Sequence, residues 1–436
     1  MDPQGVSIKW VSDAKERGVL ADRDFAEGNV IFEEQPMVCD QYLYNKDFFP
    51  TCEYCLACLE SPADMVKRLA GLPEPPHLWG AEAVPVLKNV PCEHICGELY
   101  CSTSCRDKAW AQYHSLLCLG PHPRDDHPLL EIRQEWKSFH FPPESATIGL
   151  LVKMLAMIAV TRDEALFDHF KADYRNETLH IVAKFMDEQF SDRLTKFLRL
   201  FRDLFAPHGL HVSQELFDKL LTIVSLNGQG IGTSSFEAYE RILRNLSAAA
   251  EEKAGSPEAL AVTEALDQVD ALREAIEEHS DDFTHAEGTG LYRAHAMINH
   301  ACVPNAEIQF VRNNATLRVV ATRDIAKGAE VTISYMHFDG CESDGEEDED
   351  EEESDHEHDH HGHDHHHDHD EHLVDVDRRR EMLREYYLFE CTCDQCLADS
   401  GAGKAALATA PGSRTVAGSS SSSSSAAGSS SSAARR

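Results

Sequence analysis

The chain has 436 residues, of which 76 are acidic and 40 are basic, so its formal net charge is −36. This length leaves room for two or three domains with buried cores, and the negative charge argues against direct nucleic-acid binding. An acidic surface instead suits basic protein partners such as lysine-rich tails.

The start of the chain, Met1–Lys9, lacks the basic start and the apolar run of a secretory signal. The longest apolar stretch, Ile148–Val160, is too short to span a bilayer. We therefore expect a soluble monomer in the cytoplasm, the nucleus or both, without membrane contact. Thiols stay reduced there, so the 14 cysteines favour metal binding over disulfides.

The character of the sequence changes several times along the chain. Residues 1–50 have a β-like pattern, residues 52–118 are rich in Cys and His, residues from 130 to about 284 show helical spacing, and β-like residues return over 288–338. The clearest apolar helical stretches, which we expect to be packing helices without a catalytic role, are Ala146–Val160, Glu177–Phe205 and Phe236–His279.

One short sequence occurs twice. Ala21–Gly28 and Ala321–Gly328 each lie between two β-like runs, and each ends in a glycine of the kind that a hairpin connection needs. We interpret them as one hairpin design used at both ends of a single β domain, with the residues between them as insertions. The alternative is chance similarity between two polar turns.

Four pairs of residues in the Cys-rich part have the spacing of zinc ligands: Cys52 with Cys55, Cys92 with Cys96, Cys101 with Cys105, and His114 with Cys118. A short spacer lets a knuckle or a helical turn present two ligands together, and eight ligands suffice for two closed tetrahedral sites. Scattered buried cysteines, the alternative, have no reason to pair in this way. His94 competes with Cys92 as a ligand, and Cys58 competes with Cys52 or Cys55.

Near the end of the chain, Cys391, Cys393 and Cys396 supply three further ligands, so a tetrahedral structural zinc there needs a fourth from elsewhere. Between the two cysteine regions lie Asn299–Asn305, which reads Asn-His-Ala-Cys-Val-Pro-Asn, and Ile333–Tyr335. Tyr387–Glu390 directly precedes the last cysteines.

Together these motifs resemble the SET and MYND domain family of protein lysine methyltransferases. The resemblance implies an α+β architecture, in which a SET-domain β fold is split by a MYND zinc finger and a helical insert and is closed by a zinc-bound post-SET segment. The implied segments are an N-terminal SET part (1–50), the MYND finger (51–118), a helical linker and SET insert (119–284), a C-terminal SET part (285–341) and the post-SET motif (373–398). An acidic, His-rich tract (342–372) and a Ser/Ala-rich tail (399–436) are expected to be disordered.

The resemblance also implies the ligand sets of about three zinc ions. Because ligand pairs interleave in MYND fingers, it implies one zinc on Cys52, Cys55, Cys101 and Cys105, a second on Cys92, Cys96, His114 and Cys118, and a third on Cys302, Cys391, Cys393 and Cys396. Cys39, Cys58 and Cys341 are then ordinary thiols.

The implied activity is methyl transfer from S-adenosylmethionine to a lysine amine of a histone or another basic protein. By resemblance, Tyr335 is the catalytic tyrosine and Tyr387 lines the lysine channel. Phe389 stacks on the adenine, while Asn299 and His300 contact the cofactor. Taken singly, the aromatic residues could equally pack in the core.

The N-terminal cofactor loop departs from the family pattern. Lys15, Arg17 and Gly18 lie where the family has a cofactor-binding Gly-x-Gly turn, but Glu16 replaces the first glycine. A second glycine-rich stretch, Gly228–Gly232, predicts close backbone packing rather than a nucleotide loop, because neither a lysine nor a Rossmann unit accompanies it.

Two other functions of the protein remain open from the sequence. The protein could be a zinc adaptor whose MYND finger binds proline-rich peptides, with the SET part as a scaffold. It could instead act as a metal buffer through the tract 342–372, which could also be a docking patch for a basic substrate or a tolerated insertion. Arg378–Arg380 predicts a solvated helix face rather than a nuclear import signal.

Overall fold

The computed structural model describes residues 3–85, 87–138, 147–170, 190–250, 256–280, 283–336 and 375–400. The acidic tract, Cys341 and the tail beyond Ser400 lie outside the described residues. So do residues 177–189 of the second predicted helical stretch.

The strands of the described residues belong to small sheets, in the orders β1-β2-β12-β9, β10-β11-β3, β4-β8-β7 and β5-β6. Their bounds are β1 Val6–Ser12, β2 Glu16–Ala21, β3 Val30–Glu34, β4 Val38–Gln41, β5 Val90–Pro91, β6 Leu99–Tyr100, β7 Gly228–Thr233, β8 Ala286–Leu291, β9 Asn299–His300, β10 Ala306–Gln309, β11 Leu317–Ala321 and β12 Glu330–Ile333.

Helices fill the middle and the end of the described chain. They are α1 Pro62–Leu69, α2 Thr103–Ala109, α3 Ser115–Leu117, α4 Pro128–Lys137, α5 Thr147–Thr161, α6 Phe190–Phe205, α7 Gln214–Asn227, α8 Ser235–Ala250, α9 Pro257–His279, α10 Val376–Tyr387 and α11 Asp394–Asp399, with a π-helical turn, Trp110–His114, between α2 and α3. No helix in the described ranges combines the length and the apolarity that crossing a membrane requires.

The repeated sequence does not form hairpins, so that prediction is wrong. β2 pairs with β12 and β11 pairs with β3, which means that each turn joins strands of two different sheets. The turns also contact each other: the Gly28 N–H donates to the Ala321 carbonyl at 2.8 Å, and the Gly328 N–H donates to the Ala21 carbonyl at 2.7 Å. Both glycines have positive φ, 77° and 87°. The strands on either side of the first turn, β2 and β3, thus pair with the strands on either side of the second turn, β12 and β11. The two distant parts of the chain therefore form one β unit, which consists of these strands and their sheet neighbours.

β7 lies within the region that the sequence predicts as helical. It pairs antiparallel with β8 along its whole length. A Cβ at Gly228 would lie 2.7 Å from the Val224 carbonyl oxygen, whereas a Cβ at Gly230 would meet nothing within 4 Å. Close packing therefore accounts for Gly228 and not for Gly230. The strand is not recognisable in the sequence, because the alternating glycines remove the apolar side chains that would show a two-residue period.

A buried ion network joins α5 to the β unit and to the Cys-rich part. The Nζ of Lys153 lies 3.0 Å from Asp40 and 2.9 Å from Glu53, and all three side chains are buried. It also donates to the Cys39 carbonyl at 2.8 Å. Glu53 precedes Cys55 and Asp40 is on β4, so this single ammonium ties three parts of the fold together.

Candidate functional site

Strand pairing brings the Asn-His motif beside the Ile-Ser-Tyr motif. β9 and β12 are parallel neighbours, with Thr332 opposite Asn299 and Ile333 opposite His300. The chain then leaves the sheet, and Tyr335 follows two residues later. The two motifs are far apart in the sequence, and this short parallel ladder brings them side by side.

The last cysteines bring the third motif to the same place. Ligand atoms of Cys302, Cys391, Cys393 and Cys396 all lie within 4.8 Å of one another. The last three of these cysteines follow α10, whose end is formed by Leu388 in the left-handed conformation, with φ of 61°. The reversal at Leu388 brings Phe389 beside His300 of β9 and Tyr387 beside Tyr335.

A cavity of about 550 Å³ lies where these segments meet. Its lining includes residues 13–17, residues 387–393, Asn299, His300 and Tyr335. Loop, sheet and post-helix segments each supply one wall, so the sequence motifs lie around a single space.

Aromatic rings form one side of the cavity. The ring centroid of Tyr335 lies 4.9 Å from that of Tyr387, 5.4 Å from His300 and 6.2 Å from Phe389. The Tyr335 hydroxyl donates to the Ile298 carbonyl at 2.7 Å, and the Tyr387 hydroxyl donates to the Tyr335 carbonyl at 3.0 Å. The two phenols are therefore held by the backbone on which the site is built.

Burial keeps the polar groups of this wall uncharged. It raises the pKa of the Tyr335 and Tyr387 phenols above their ordinary value. It lowers the pKa of His300 to about 4. At neutral pH the site thus contains two protonated phenols and a neutral imidazole.

A carboxylate organises the adjacent, polar wall of the cavity. Glu330 accepts from the Lys15 ammonium at 2.7 Å and from the Asn299 side-chain amide at 2.8 Å. The same amide donates to the Arg17 carbonyl at 3.0 Å. A Cβ on Gly18 would lie 2.9 Å from the Asn299 Nδ2, so the glycine is needed for this close approach. Gly18 stands behind Asn299, whereas Lys15, Arg17 and Asn299 line the cavity.

Glu16 has the backbone conformation that its position requires, although it is not a glycine. Its φ is 57°, in the left-handed region where a side chain is disfavoured. The residue is exposed and lines the cavity. A carboxylate thus stands at the rim of the cavity, where the Gly-x-Gly turn expected from the resemblance would have no side chain.

The Cys-rich part contains two further sets of four ligand atoms, each within 4.8 Å. They are Cys52, Cys55, Cys101 and Cys105, and Cys92, Cys96, His114 and Cys118. The ring of His94 instead stacks on Trp110 at 4.5 Å, and the Cys58 sulfur lies 4.0 Å from the Ser235 hydroxyl. Four sulfurs, or three sulfurs and an imidazole, are the donors that Zn²⁺ prefers in closed tetrahedral sites, so the three clusters could hold zinc.

Two of the remaining cysteines are buried thiols away from these clusters. Burial raises the pKa of Cys39 to about 12 and raises that of Cys58. Both are therefore protonated and unreactive at neutral pH.

Comparison with known proteins agrees with this geometry. The family model described as SET domain matches residues 16–336. The chain belongs to the SET-domain family. It is 34% identical to a protein-lysine N-trimethyltransferase SMYD5 of Danio rerio, over 90% of this chain and 87% of that protein, and 34% identical to the Homo sapiens SMYD5, over 91% and 87%. It is 24% identical to histone-lysine N-methyltransferase SET5 of Mycosarcoma maydis, over 92% and 69%.

Family membership confirms the prediction of a SET methyltransferase with mixed helix and sheet content. A SET methyltransferase uses S-adenosylmethionine as its methyl donor, and the cavity, with its aromatic wall and adjacent polar wall, is large enough for a ligand of that class.

Several residues of this SET-domain site have no signal in the sequence. Glu330, which links Lys15 to Asn299, begins a strand and reads as an ordinary solvated acid. Phe170 and Leu226 line the cavity from the helical region, where their apolar character predicts only packing. They reach the site because the fold brings distant parts of the chain together, and local sequence patterns do not predict such contacts.

Proposed function

We propose that the protein transfers methyl groups from S-adenosylmethionine to lysine side chains of other proteins, with Tyr335 and Tyr387 as its catalytic residues. The observation that carries the proposal is the aromatic wall around Tyr335, which shares one cavity with Asn299, His300 and Phe389.

Seven residues would hold the cofactor, directly or through their neighbours: Lys15, Arg17, Gly18, Asn299, His300, Tyr335 and Phe389. When bound, S-adenosylmethionine supplies an electrophilic methyl carbon on a positively charged sulfonium. The Phe389 ring offers a flat face to the adenine. Asn299 is held by Glu330 and by the Arg17 carbonyl, so its remaining polar atoms are presented in a fixed orientation.

The aromatic wall prepares the lysine amine. Only the neutral amine can act as a nucleophile, and a dry channel disfavours the charged ammonium form. Tyr335 and Tyr387 exclude water from the side of the channel and, with their raised pKa values, keep their protons. Each phenol gives its one proton to a backbone carbonyl, so its oxygen is left as a neutral acceptor, which can orient the amine without adding a negative charge.

The substrate class follows from charge and from the relatives. A chain with net charge −36 attracts basic proteins, and the relatives are named as protein-lysine and histone-lysine methyltransferases. We therefore propose histone tails or other basic proteins as substrates, and a monomer, located in the cytoplasm, the nucleus or both, that does not bind nucleic acid.

We also propose that each of the three clusters binds one zinc ion. In that arrangement the first two clusters form a MYND finger within residues 51–118, residues 119–284 are the helical linker and SET insert, and the third cluster forms a post-SET motif that closes the SET β fold.

Methyl transfer from labelled S-adenosylmethionine to histones and basic protein extracts tests the proposal. We expect Tyr335→Phe to lower kcat by at least about 100-fold, because it removes the phenol oxygen that orients the reacting groups. Tyr239→Phe is the matched control, since that hydroxyl also donates to a backbone carbonyl, that of Trp79 at 3.0 Å, but in a remote helix. Undiminished transfer by Tyr335→Phe, or none by the wild-type protein, would count against the proposal.

A further inference from the structure

The imidazole of His300 has a polar neighbour at each ring nitrogen. Its Nδ1 lies 3.0 Å from the backbone nitrogen of Tyr335, and its Nε2 lies 3.4 Å from the sulfur of Cys302. A backbone N–H can only donate, so Nδ1 accepts and carries no proton. The proton of the ring is therefore on Nε2 and points at the sulfur. In this way the Tyr335 backbone fixes the tautomer of His300.

At the cavity end, the His300 ring hydrogen-bonds to the backbone just beyond the last pair of the β9–β12 ladder. The β9–β12 ladder ends with Ile333 opposite His300. Beyond it, the His300 ring accepts the Tyr335 N–H, and the Tyr387 hydroxyl donates to the Tyr335 carbonyl at 3.0 Å. Side chains rather than the sheet thus set the position of the Tyr335 backbone, and with it the ring in the cavity wall.

At the other end, the ring reaches the third cysteine cluster. Cys302 is buried, and its sulfur lies 3.4 Å from that of Cys396 and 3.9 Å from that of Cys391. A thiolate that binds a metal remains negative and accepts an N–H hydrogen bond more strongly than a neutral thiol does. Such outer hydrogen bonds orient ligands and contribute to metal affinity.

We propose that His300 is a positioning residue that couples the third cysteine cluster to the backbone of Tyr335 through its two ring nitrogens. The idea rests on the proposed zinc binding and methyl transfer. It assigns separate effects to the two nitrogens of one side chain: Nε2 helps the cluster to retain its metal, and Nδ1 holds Tyr335 for turnover.

Two substitutions separate these effects. In His300→Asn, the amide oxygen can take the place of Nδ1 and accept the Tyr335 N–H, but the side chain is too short to reach Cys302. In His300→Gln, the amide N–H can take the place of Nε2 and donate to the sulfur, while the acceptor for Tyr335 is lost. Asn thus keeps one hydrogen bond and Gln keeps the other.

The measurements are zinc release to a chromogenic chelator and steady-state methyl transfer with added zinc. For His300→Asn we expect release about tenfold faster than in the wild type, with a smaller loss of kcat than in His300→Gln. For His300→Gln we expect wild-type release and kcat lowered by about 10- to 100-fold, while KM for S-adenosylmethionine rises to a similar extent in the two variants, because both remove the imidazole from the cofactor site. A purely structural role would move both quantities together.

His295→Asn is the matched control, because His295 is also a buried histidine (7% exposed) and lies just before β9. We expect wild-type zinc release from it, and thermal unfolding of all three variants checks that each is folded. Parallel loss of zinc and turnover in the two His300 variants, or fast release from His295→Asn, would overturn the proposal. If the wild-type protein transfers no methyl group, the proposed function fails, whereas the zinc-release comparison still tests the contact with Cys302.

Discussion

The two cysteine regions differ in the distance along the chain from which their ligands come. The first two clusters draw all their ligands from residues 52–118, whereas the third joins Cys302 to Cys391, 89 residues further on. A local cluster constrains its own segment, while a distant one fixes two segments against each other. Cys391 and Cys393 line the cavity, and the cavity lining within the described residues includes no ligand of the first two clusters. We infer that metal in the first region supports local folding, and that metal in the third supports the active site.

The largest expected effect comes from replacing Lys153, whose ion pairs attach the first cysteine region to the rest of the fold. No cysteine is changed in this test. Burial alone would lower the pKa of Lys153, but Asp40 and Glu53 outweigh burial and raise it, so the ammonium stays charged. Lys153→Met removes the ammonium that pairs with the buried Glu53 and, among the described residues, leaves the buried Asp40 with only the Lys46 ammonium, 3.8 Å away. We expect a loss of about 3–5 kcal/mol in the free energy of unfolding, measured by urea denaturation.

The matched control for that change is Lys137→Met. The Lys137 ammonium lies 2.7 Å from the carboxylate of Asp47, but this pair is on the surface, where the Asp47 side chain is 66% exposed. We expect a loss below about 1 kcal/mol. Similar losses from the two substitutions would show that the Lys153 network does not hold the parts of the fold together.

The second prediction tests the comparison directly by removing one sulfur from each region. We expect Cys302→Ser to lower kcat/KM for methyl transfer by about 100-fold, because the cluster holds the cavity wall. Cys118→Ser should lower it by no more than about threefold, because that cluster acts on its own segment. Zinc analysis should show the loss of one ion from each variant. Equal loss of activity in both would refute the division of roles.

The same difference explains what the sequence could and could not predict. Pairs such as Cys101 with Cys105 can be recognised in the sequence, because the spacing of two zinc ligands is a local feature and few residue types can bind zinc. The shared location of Asn299, Tyr335 and Phe389 was predicted from family resemblance and not from periodicity. The hairpin interpretation was wrong because turn residues determine only the local reversal of the chain. Which strands pair, such as β2 with β12, depends on the packing of the whole β unit.

Arg379 shows the same limit at one residue. Its neighbours in sequence read as a solvated helix face, and the helix is present, but Arg379 is only 1% exposed. Its guanidinium forms an ion pair with Asp399 at 2.5 Å and lies 3.8 Å from the Cys396 sulfur. If the third cluster binds zinc as proposed, its sulfurs are thiolates, and the buried guanidinium beside Cys396 offsets their charge, a role that appears only once α10 and α11 are packed together.

The third prediction follows from that contact. We expect Arg379→Met to speed zinc release from the third cluster by about tenfold, because the thiolates lose a neighbouring cation and an N–H donor. Arg378→Met is the control, since Arg378 forms an exposed pair with Glu381 at 3.0 Å. Release rates from the first two clusters should not change in either variant. Wild-type release from Arg379→Met would mean that the buried guanidinium serves only its pair with Asp399.

The smallest expected effect concerns the wall of the cavity that no cluster supports. Glu16 combines a left-handed backbone with a carboxylate at the cavity rim, and two substitutions separate these features. Glu16→Gln keeps the strained backbone and removes the charge, so we expect KM for the cationic methyl donor to rise by about two- to threefold at low salt. Glu16→Gly also relieves the strain, and we expect it to add roughly 0.5 kcal/mol to the free energy of unfolding, since about 1 kcal/mol of strain is partly offset by the entropy of glycine in the unfolded chain. An unchanged KM in both variants would place the carboxylate outside the path of the cofactor, and the loop would then act through its backbone alone.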